Sequence, residues 1–371
     1  MQKKRVLIVA NDGLEIGGIQ SVIMTIVRGL YNEYELDLVS FTKDKTYFED
    51  EFLSHGGKIF KIYRYSGNSN FRKRLDFYIR APHLYHKMLK ILSQTEYDVV
   101  HCHNFFEAGI CLLAAKKKKV PVRICHSHST YKPDEKINFA RRFYEYVYRR
   151  LIRKNATVKI GCSKLACEYL YLKQPAIIVN NGIDLDKFSL EKYKQVRKKK
   201  NRFIQIGRFE KSKNHIFALQ VFKIVHKKLK EAELVLIGEG SMEMEIRSNV
   251  EEMGLSEAVH FLSADANIPL ELAKSNYMLF PSTYEGLGIV AIEAQAMDVI
   301  CFASTGVPKE ADCCLCKFLE LNKGSTYWAE EILNYISQHE NQPCRSQMHR
   351  YDIKNISKEY MQIYNGQVDN V

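Results

Sequence analysis

The stretch RVLIVANDGLEIGGIQSVIMTIVRGL, residues 5–30, decides the fold class. Its first six residues form a short, largely β-branched apolar run, the pattern of a strand buried on both faces. From Ser21 onward, Val22, Ile23, Ile26, Val27 and Leu30 recur with the 3.6-residue period and share one helical face. Residues 11–18 stand between these segments and end in Gly17-Gly18. Strand, glycine turn and amphipathic helix together open a parallel sheet covered by helices.

The same unit recurs along the chain. Strands are expected at residues 35–41, 58–63, 98–103, 122–128 and 156–162. A break follows at Asn181-Gly182, and the lysine-rich residues 192–200 read as a solvated linker or surface helix. The pattern then restarts, with strands at 202–206, 233–237, 259–262, 277–281 and 299–303 and helices at 214–230, 242–252 and 287–297. The expectation is an α/β chain of two Rossmann-like, doubly wound domains, residues 1–180 and 181–352, facing across a cleft, with ligands beyond the carboxyl ends of the strands.

Composition bounds the function. The chain has 371 residues, 46% hydrophobic and 26% charged, as expected of a folded globular protein. The apolar run 6–10 behind the basic start is too short for a signal-peptide core, and no segment approaches the roughly 18 apolar residues of a membrane span. Ten cysteines scattered without an export signal read as reduced thiols, so a cytoplasmic location is expected. Cys313, Cys314 and Cys316 have no second Cys or His pair at zinc-site spacing and read as buried or idle thiols. Residues 1–180 hold 31 Lys+Arg against 17 Asp+Glu, whereas the remainder holds 24 against 26. A net +14 confined to the first half implies an anionic partner surface there.

Four motifs carry chemistry. Gly17-Gly18 opens a helix, where paired glycines admit a ligand to the backbone and free N–H groups attract an anion, although a plain tight turn explains the pair equally well. The dinucleotide fingerprint Gly-x-Gly-x-x-Gly is missing here, which weighs against hydride transfer. Ile206-Gly207-Arg208-Phe209 with Lys213-Asn214 places two cations in a loop opening a helix, a diphosphate site if they are more than solvated charge. Gly238-Glu239-Gly240 ends the next strand at the same edge and could admit a nucleoside. In residues 280–294, Glu285 precedes Gly286-Leu287-Gly288 at a helix start, and Glu293 sits among Ile289, Val290, Ile292 and Ala294, where a lone carboxylate is costly. A cap or buried ion pair would explain Glu293; so would ribose hydroxyls.

With these residues in their order and spacing, and with Asn181-Gly182-Ile183-Asp184 and Phe188 between the halves, the chain resembles the retaining GT-B glycosyltransferases of family 4, especially bacterial capsule and exopolysaccharide members. The resemblance spans nearly the whole chain. It implies that Arg208 and Lys213 bind the donor diphosphate, that Glu285 with Gly286, Leu287 and Gly288 meets the donor sugar and phosphates, and that Glu293 holds the ribose. It implies that Gly17 and Gly18 close over the donor, that Gly238, Glu239 and Gly240 border the nucleoside, and that a last helix near residues 353–364 returns to the first domain. The family's pocket histidine falls on His126 or His128; His101 and His103 are weaker candidates for the acceptor side. Met297-Asp298 departs from the pattern, since relatives commonly carry a small residue and glycine there.

The expected reaction moves a sugar from a nucleotide-sugar, a UDP-sugar, to a polyprenyl-diphosphate-linked acceptor with retention and without a metal or other cofactor. Asp184-Leu185-Asp186 looks like a metal-binding Asp-x-Asp but lies in the inter-domain motif and reads as structural. Two rivals are a GT-B-fold sugar-nucleotide epimerase and a non-specific nucleic-acid binder; no RNA- or DNA-binding motif supports the second. Arg72, Lys73 and Arg74, followed by Leu75, Tyr78, Ile79, Leu84, Tyr85, Met88 and Leu89, suit a helix lying on an anionic bilayer at the inner membrane face, or one packing its apolar side on the domain. Lys116–Lys119, Arg141, Arg142, Arg149, Arg150 and Arg153 would extend that basic face.

Overall fold

The computed structural model describes residues 3–10, 13–62, 70–130, 138–338 and 347–367, with backbone only for 70–80. The chain divides into two compact units, Met1–Asn181 with Ile353–Val371, and Gly182–Asp352.

The first unit holds β1 (Lys4–Val9), β2 (Tyr34–Ser40), β3 (Ile59–Lys61), β4 (Val99–Cys102), β5 (Val122–Ser127), β6 (Val158–Gly161) and β7 (Ile177–Ile178). Its helices are α1 (Gly18–Leu30), α2 (Glu49–Ser54), α3 (Asn70–Gln94), α4 (Ala108–Lys117), α5 (Phe139–Asn155) and α6 (Lys164–Tyr171), joined by the last helix of the chain, α12 (Ile353–Tyr364). The sheet is parallel, in the order β3-β2-β1-β4-β5-β6-β7. Val6, Leu7, Ile8 and Val9 are fully buried, and each contributes about 1.5–3 kcal/mol on leaving water. The order reverses between β1 and β4, so the Gly17-Gly18 turn after β1 and the histidines after β4 share the switch point where doubly wound sheets bind ligands.

The second unit holds β8 (Arg202–Ile206), β9 (Glu233–Ile237), β10 (Val259–Leu262), β11 (Tyr277–Phe280), β12 (Ile300–Ser304) and β13 (Cys316–Leu319), parallel in the order β10-β9-β8-β11-β12-β13. Helices α7 (His215–Lys228), α8 (Glu243–Glu252), α9 (Ile268–Ala273), α10 (Ile289–Ala296) and α11 (Gly324–Gln338) cover it. Here the switch point lies between β8 and β11, the strands that end in Arg208–Lys213 and in Glu285. Helix α12 (Ile353–Tyr364) leaves this unit and packs on α1. Gly29 makes the approach possible, since a Cβ there would lie 2.0 Å from Ser357 Oγ.

Several local expectations need correction. Of the two readings of residues 192–200, the solvated linker holds: they are mostly exposed and carry only the end of a short 3-10 turn, Leu190–Tyr193, in place of a surface helix. Strands β7 and β13 were not foreseen; β13 contains Cys316, which is buried, while Cys313 is buried and Cys314 exposed. The Met297-Asp298 turn forms with Asp298 at φ 53°, a left-handed conformation that glycine adopts more easily. Lys198 donates to the Asp298 carbonyl at 2.6 Å. The bilayer helix fails in its described half: Leu84, Met88, Ile91 and Leu92 are buried in the core, with Tyr85 and Leu89 packed against it. Arg72, Lys73, Arg74, Leu75, Tyr78 and Ile79 have side chains outside the described residues, as does Asn11 of the glycine turn.

Candidate active site

In the second unit, the loops after β8 and β11 are stitched together. Thr283 N donates to Ser212 O at 2.8 Å, and on its other side the β11 loop is tied to the loop after β12, where Glu285 N donates to Gly306 O at 3.0 Å. Lys213 is held from behind by Gln205, whose Nε2 donates to the Lys213 carbonyl at 2.8 Å. Its Nζ then meets Glu285 Oε1 at 2.5 Å and lies 5.8 Å from the centre of the Phe280 ring. Both side chains are largely withdrawn from solvent, at 21% and 12% exposure, whereas Arg208 is 68% exposed and paired with Glu210 at 3.1 Å. The structure thus joins Lys213 with Glu285, residues 72 apart in sequence, and leaves Arg208 on Glu210. An ammonium has three donors, so Glu285 can fix Lys213 while others remain for an anion.

The glycines serve different ends. Gly238, at φ 150°, admits the Gly207 carbonyl, which would lie 2.1 Å from a Cβ; Gly240, at φ 157°, admits the Phe209 carbonyl at 2.5 Å. Both let the β8 and β9 loops touch, so their close approach is to backbone, and Glu239 between them is exposed. Gly288 caps α10 at φ 88° with Phe280 and Val307 against it. Leu287 is buried in the same loop, next to Gly286. Gly17 and Gly18 differ: Gly17 is extended at φ −179°, and among the described residues a Cβ there would meet only the flexible end of Gln20, and one at Gly18 nothing within 4 Å. The described residues therefore make no demand for glycine at either position.

Glu293 lies on α10 and accepts no hydrogen bond from a described residue. It keeps partial access to solvent, yet the apolar helix around it desolvates the carboxyl and pushes it up to about 7, with Lys187 pulling the other way. His215, which opens α7, is a site residue the sequence reading missed; its only signal is its place beside Lys213-Asn214. Burial, with the Lys213 charge, brings it down to about 4, and neither ring nitrogen has a hydrogen-bond partner among the described residues. Asp184 closes a turn, its Oδ1 accepting from Asp186 N at 2.9 Å and Lys187 N at 3.0 Å.

In the first unit, the ends of β4 and β5 gather four imidazoles. His101 Nε2 pairs with His126 Nδ1 at 3.2 Å, His103 Nδ1 with His128 Nε2 at 2.7 Å, and His101 Nδ1 with Tyr364 Oη of α12 at 2.8 Å. His101, His103 and His126 are buried, and His128 keeps partial access. The sequence left His126 and His128 open; His128 stands at the rim. Desolvation holds all four low, His101 and His128 near about 3. His101, His103 and His126 each offer a ring nitrogen within 4.8 Å of the others, a metal-ligand composition. In each hydrogen-bonded pair the rings lie edge to edge and nearly coplanar, His101 and His126 with 5° between planes, His103 and His128 with 13°.

Comparison with known proteins agrees with this architecture. A family model described as Glycosyltransferase Family 4 matches residues 16–187, and one described as Glycosyl transferases group 1 matches residues 186–313. The chain is 30% identical over 347 residues to EpsF of Bacillus subtilis (strain 168), provisionally named a glycosyltransferase, covering 89% of this chain and 87% of that one. It is 24% identical over 234 residues to the UDP-Gal:alpha-D-GlcNAc-diphosphoundecaprenol alpha-1,3-galactosyltransferase of Escherichia coli, covering 58% of this chain and 60% of that one. Anabaena HepE, solved in complex with UDP and glucose, has the same fold, with a TM-score of 0.76 at 15% identity over 97% of this chain and 99% of that one. By sequence and by its two parallel-sheet units, the chain belongs to the group 1, family 4 glycosyltransferases and has their GT-B fold.

Proposed function

We propose that the chain transfers a sugar from a UDP-sugar to a polyprenyl-diphosphate-linked acceptor, with retention, during assembly of a cell-surface polysaccharide. The observation that carries the donor half is the preorganised Lys213–Glu285 pair at the switch point of the second unit, with the Glu293 carboxyl, which accepts no hydrogen bond from a described residue, on the following helix. Support for the acceptor half comes from the Escherichia coli relative, whose name specifies UDP-Gal, a diphosphoundecaprenol acceptor and an alpha linkage.

In this reading Lys213 and Arg208 bind the donor diphosphate, and Glu293 accepts the two ribose hydroxyls. Glu285 orients Lys213 and, with the Gly286–Gly288 backbone, meets the sugar. Gly17 and Gly18 leave room for the donor phosphates, and His128, oriented by His103, faces the sugar. The anomeric carbon–phosphate oxygen bond breaks as the acceptor oxygen bonds to the same face, and the acceptor proton passes to the departing phosphate. Charge growing on that phosphate is met by fixed cations, which lowers the barrier without reorganisation and without a metal. Such an acceptor places the reaction at the inner face of the membrane; no helix among the described residues is long and apolar enough to cross it.

The test is donor consumption with and without a lipid-linked acceptor. UDP release should require the acceptor and persist in EDTA; turnover of the donor alone would indicate the epimerase, and recovery only by manganese would reassign the charge stabilisation to a metal. A pH dependence follows from Glu293. Its carboxylate, the form that accepts both hydroxyls, is lost as pH falls through about 7. The donor KM should therefore rise several-fold from pH 8 to pH 6, and Glu293→Gln should flatten the profile. A wild-type KM independent of pH across this window would remove Glu293 from the ribose.

A further inference from the structure

Helix α5 has a face that no described residue of the first unit covers. Its inner side is fixed: Ile152 and Asn155 are buried, and Glu145, its one acid, is buried between Arg141 and Arg149, each 2.9 Å away. The outer side carries Phe139, Phe143 and Tyr146, at 84%, 61% and 61% exposure and at positions i, i+4 and i+7. Arg142, Arg150 and Arg153 are exposed on the same side, within roughly one third of the helix circumference at 3.6 residues per turn. With the Glu145 carboxylate taken up by Arg141 and Arg149, α5 has no unpaired acid beside them.

A shallow depression continues this face, lined by Arg142, Arg149, Arg150 and Arg153 with Tyr146, Leu172 and the Glu145 that Arg141 and Arg149 neutralise. Leu172 is itself 57% exposed. Large exposed rings beside guanidinium groups suit one environment in particular. Aromatic rings gain by leaving water at the headgroup level, and guanidinium forks bind phosphate oxygens there in bidentate geometry.

We propose that the outer face of α5 docks the chain on an anionic phospholipid bilayer, with Phe139, Phe143 and Tyr146 among the upper acyl chains and Arg142, Arg150 and Arg153 on lipid phosphates. The lipid-linked acceptor reading supplies the reason for docking, but binding does not require transfer. This assigns the bilayer contact to α5 in place of the buried apolar side of α3.

The test is flotation of the full chain with vesicles of phosphatidylglycerol in phosphatidylcholine, and of phosphatidylcholine alone. Recovery with the anionic vesicles should exceed that with neutral ones by about 10-fold or more. R142E/R150E/R153E should abolish the excess, and F139S/F143S/Y146S should lower recovery several-fold and make the remainder salt-sensitive. Circular dichroism and melting identify any misfolded variant, in which case F143S and R150Q alone should each give a partial loss. Equal recovery with both vesicles, flotation of the variants like wild type, or displacement from vesicles by single-stranded RNA would overturn the docking. Transfer to a water-soluble acceptor analogue should be unchanged in the variants. Loss of flotation in variants of a chain that glycosylates no lipid-linked acceptor would keep the docking and refute the acceptor reading.

Discussion

Replacing Lys213 with alanine is expected to lower kcat by about 10²–10³-fold, the loss seen when one preorganised donor to transition-state charge is removed. Lys213 is the better-held of the two cations: it is mostly buried, anchored through Gln205 and clamped by Glu285, whereas Arg208 is exposed. A cation already fixed in place does not spend binding energy on ordering as charge develops on the leaving phosphate. Arg208→Ala should cost less, because part of its charge is screened by solvent. Single-turnover kinetics would separate chemistry from product release. The K213A/E285Q double variant controls for the carboxylate that K213A leaves unpaired. Near-normal turnover in a folded K213A protein would remove Lys213 from the diphosphate.

The second large effect concerns acid. His101 and His128 are held neutral, near about 3, because burial penalises the charged ring. Their folded values lie below the ordinary 6.5, so the unfolded chain binds protons that the folded chain refuses. The stability these neutral rings contribute is complete above pH 6.5 and is lost as pH falls from there toward about 3. At pH 5 each loses about 2 kcal/mol relative to neutral pH. His103 and His126 shift the same way and add to the loss. Glu293 works in the opposite sense: with its carboxyl raised to about 7, its contribution grows as pH falls and offsets roughly one histidine. Melting at pH 5 should therefore occur about 10 °C below that at pH 7.5. Imidazole NMR signals should show the four rings still neutral at pH 5; rings titrating near 6.5 with unchanged melting would contradict the buried cluster.

Much of the fold was legible because parallel strands buried on both faces read as continuous apolar runs, as in Val6–Val9 of β1 and in β11. The two strands that escaped, β7 and β13, lack that signal: β7 has two residues, and β13 mixes Cys316 and Lys317 with two apolar positions. The site was legible residue by residue but not as an arrangement. Glu293 stood out as a lone carboxyl in an apolar helix, while the Lys213–Glu285 pair depends on β8 and β11 lying side by side. Likewise the two His-x-His motifs become one cluster only because β4 and β5 pair with His101 opposite Ile124 and Cys102 opposite Cys125. The α3 reading failed for a related reason: one helical period fits both a bilayer and a protein core, and Leu84 and Met88 found the core.

Titration calorimetry of UDP and of uridine with wild type, Lys213→Ala and Glu293→Ala tests the donor site most directly. Wild type should bind UDP far more tightly than uridine; Lys213→Ala should erase most of that difference, and Glu293→Ala should weaken both ligands alike. Unchanged UDP affinity in both variants would show that the nucleotide binds elsewhere, and the assignment of the β8–β11 switch point as the donor site would be wrong.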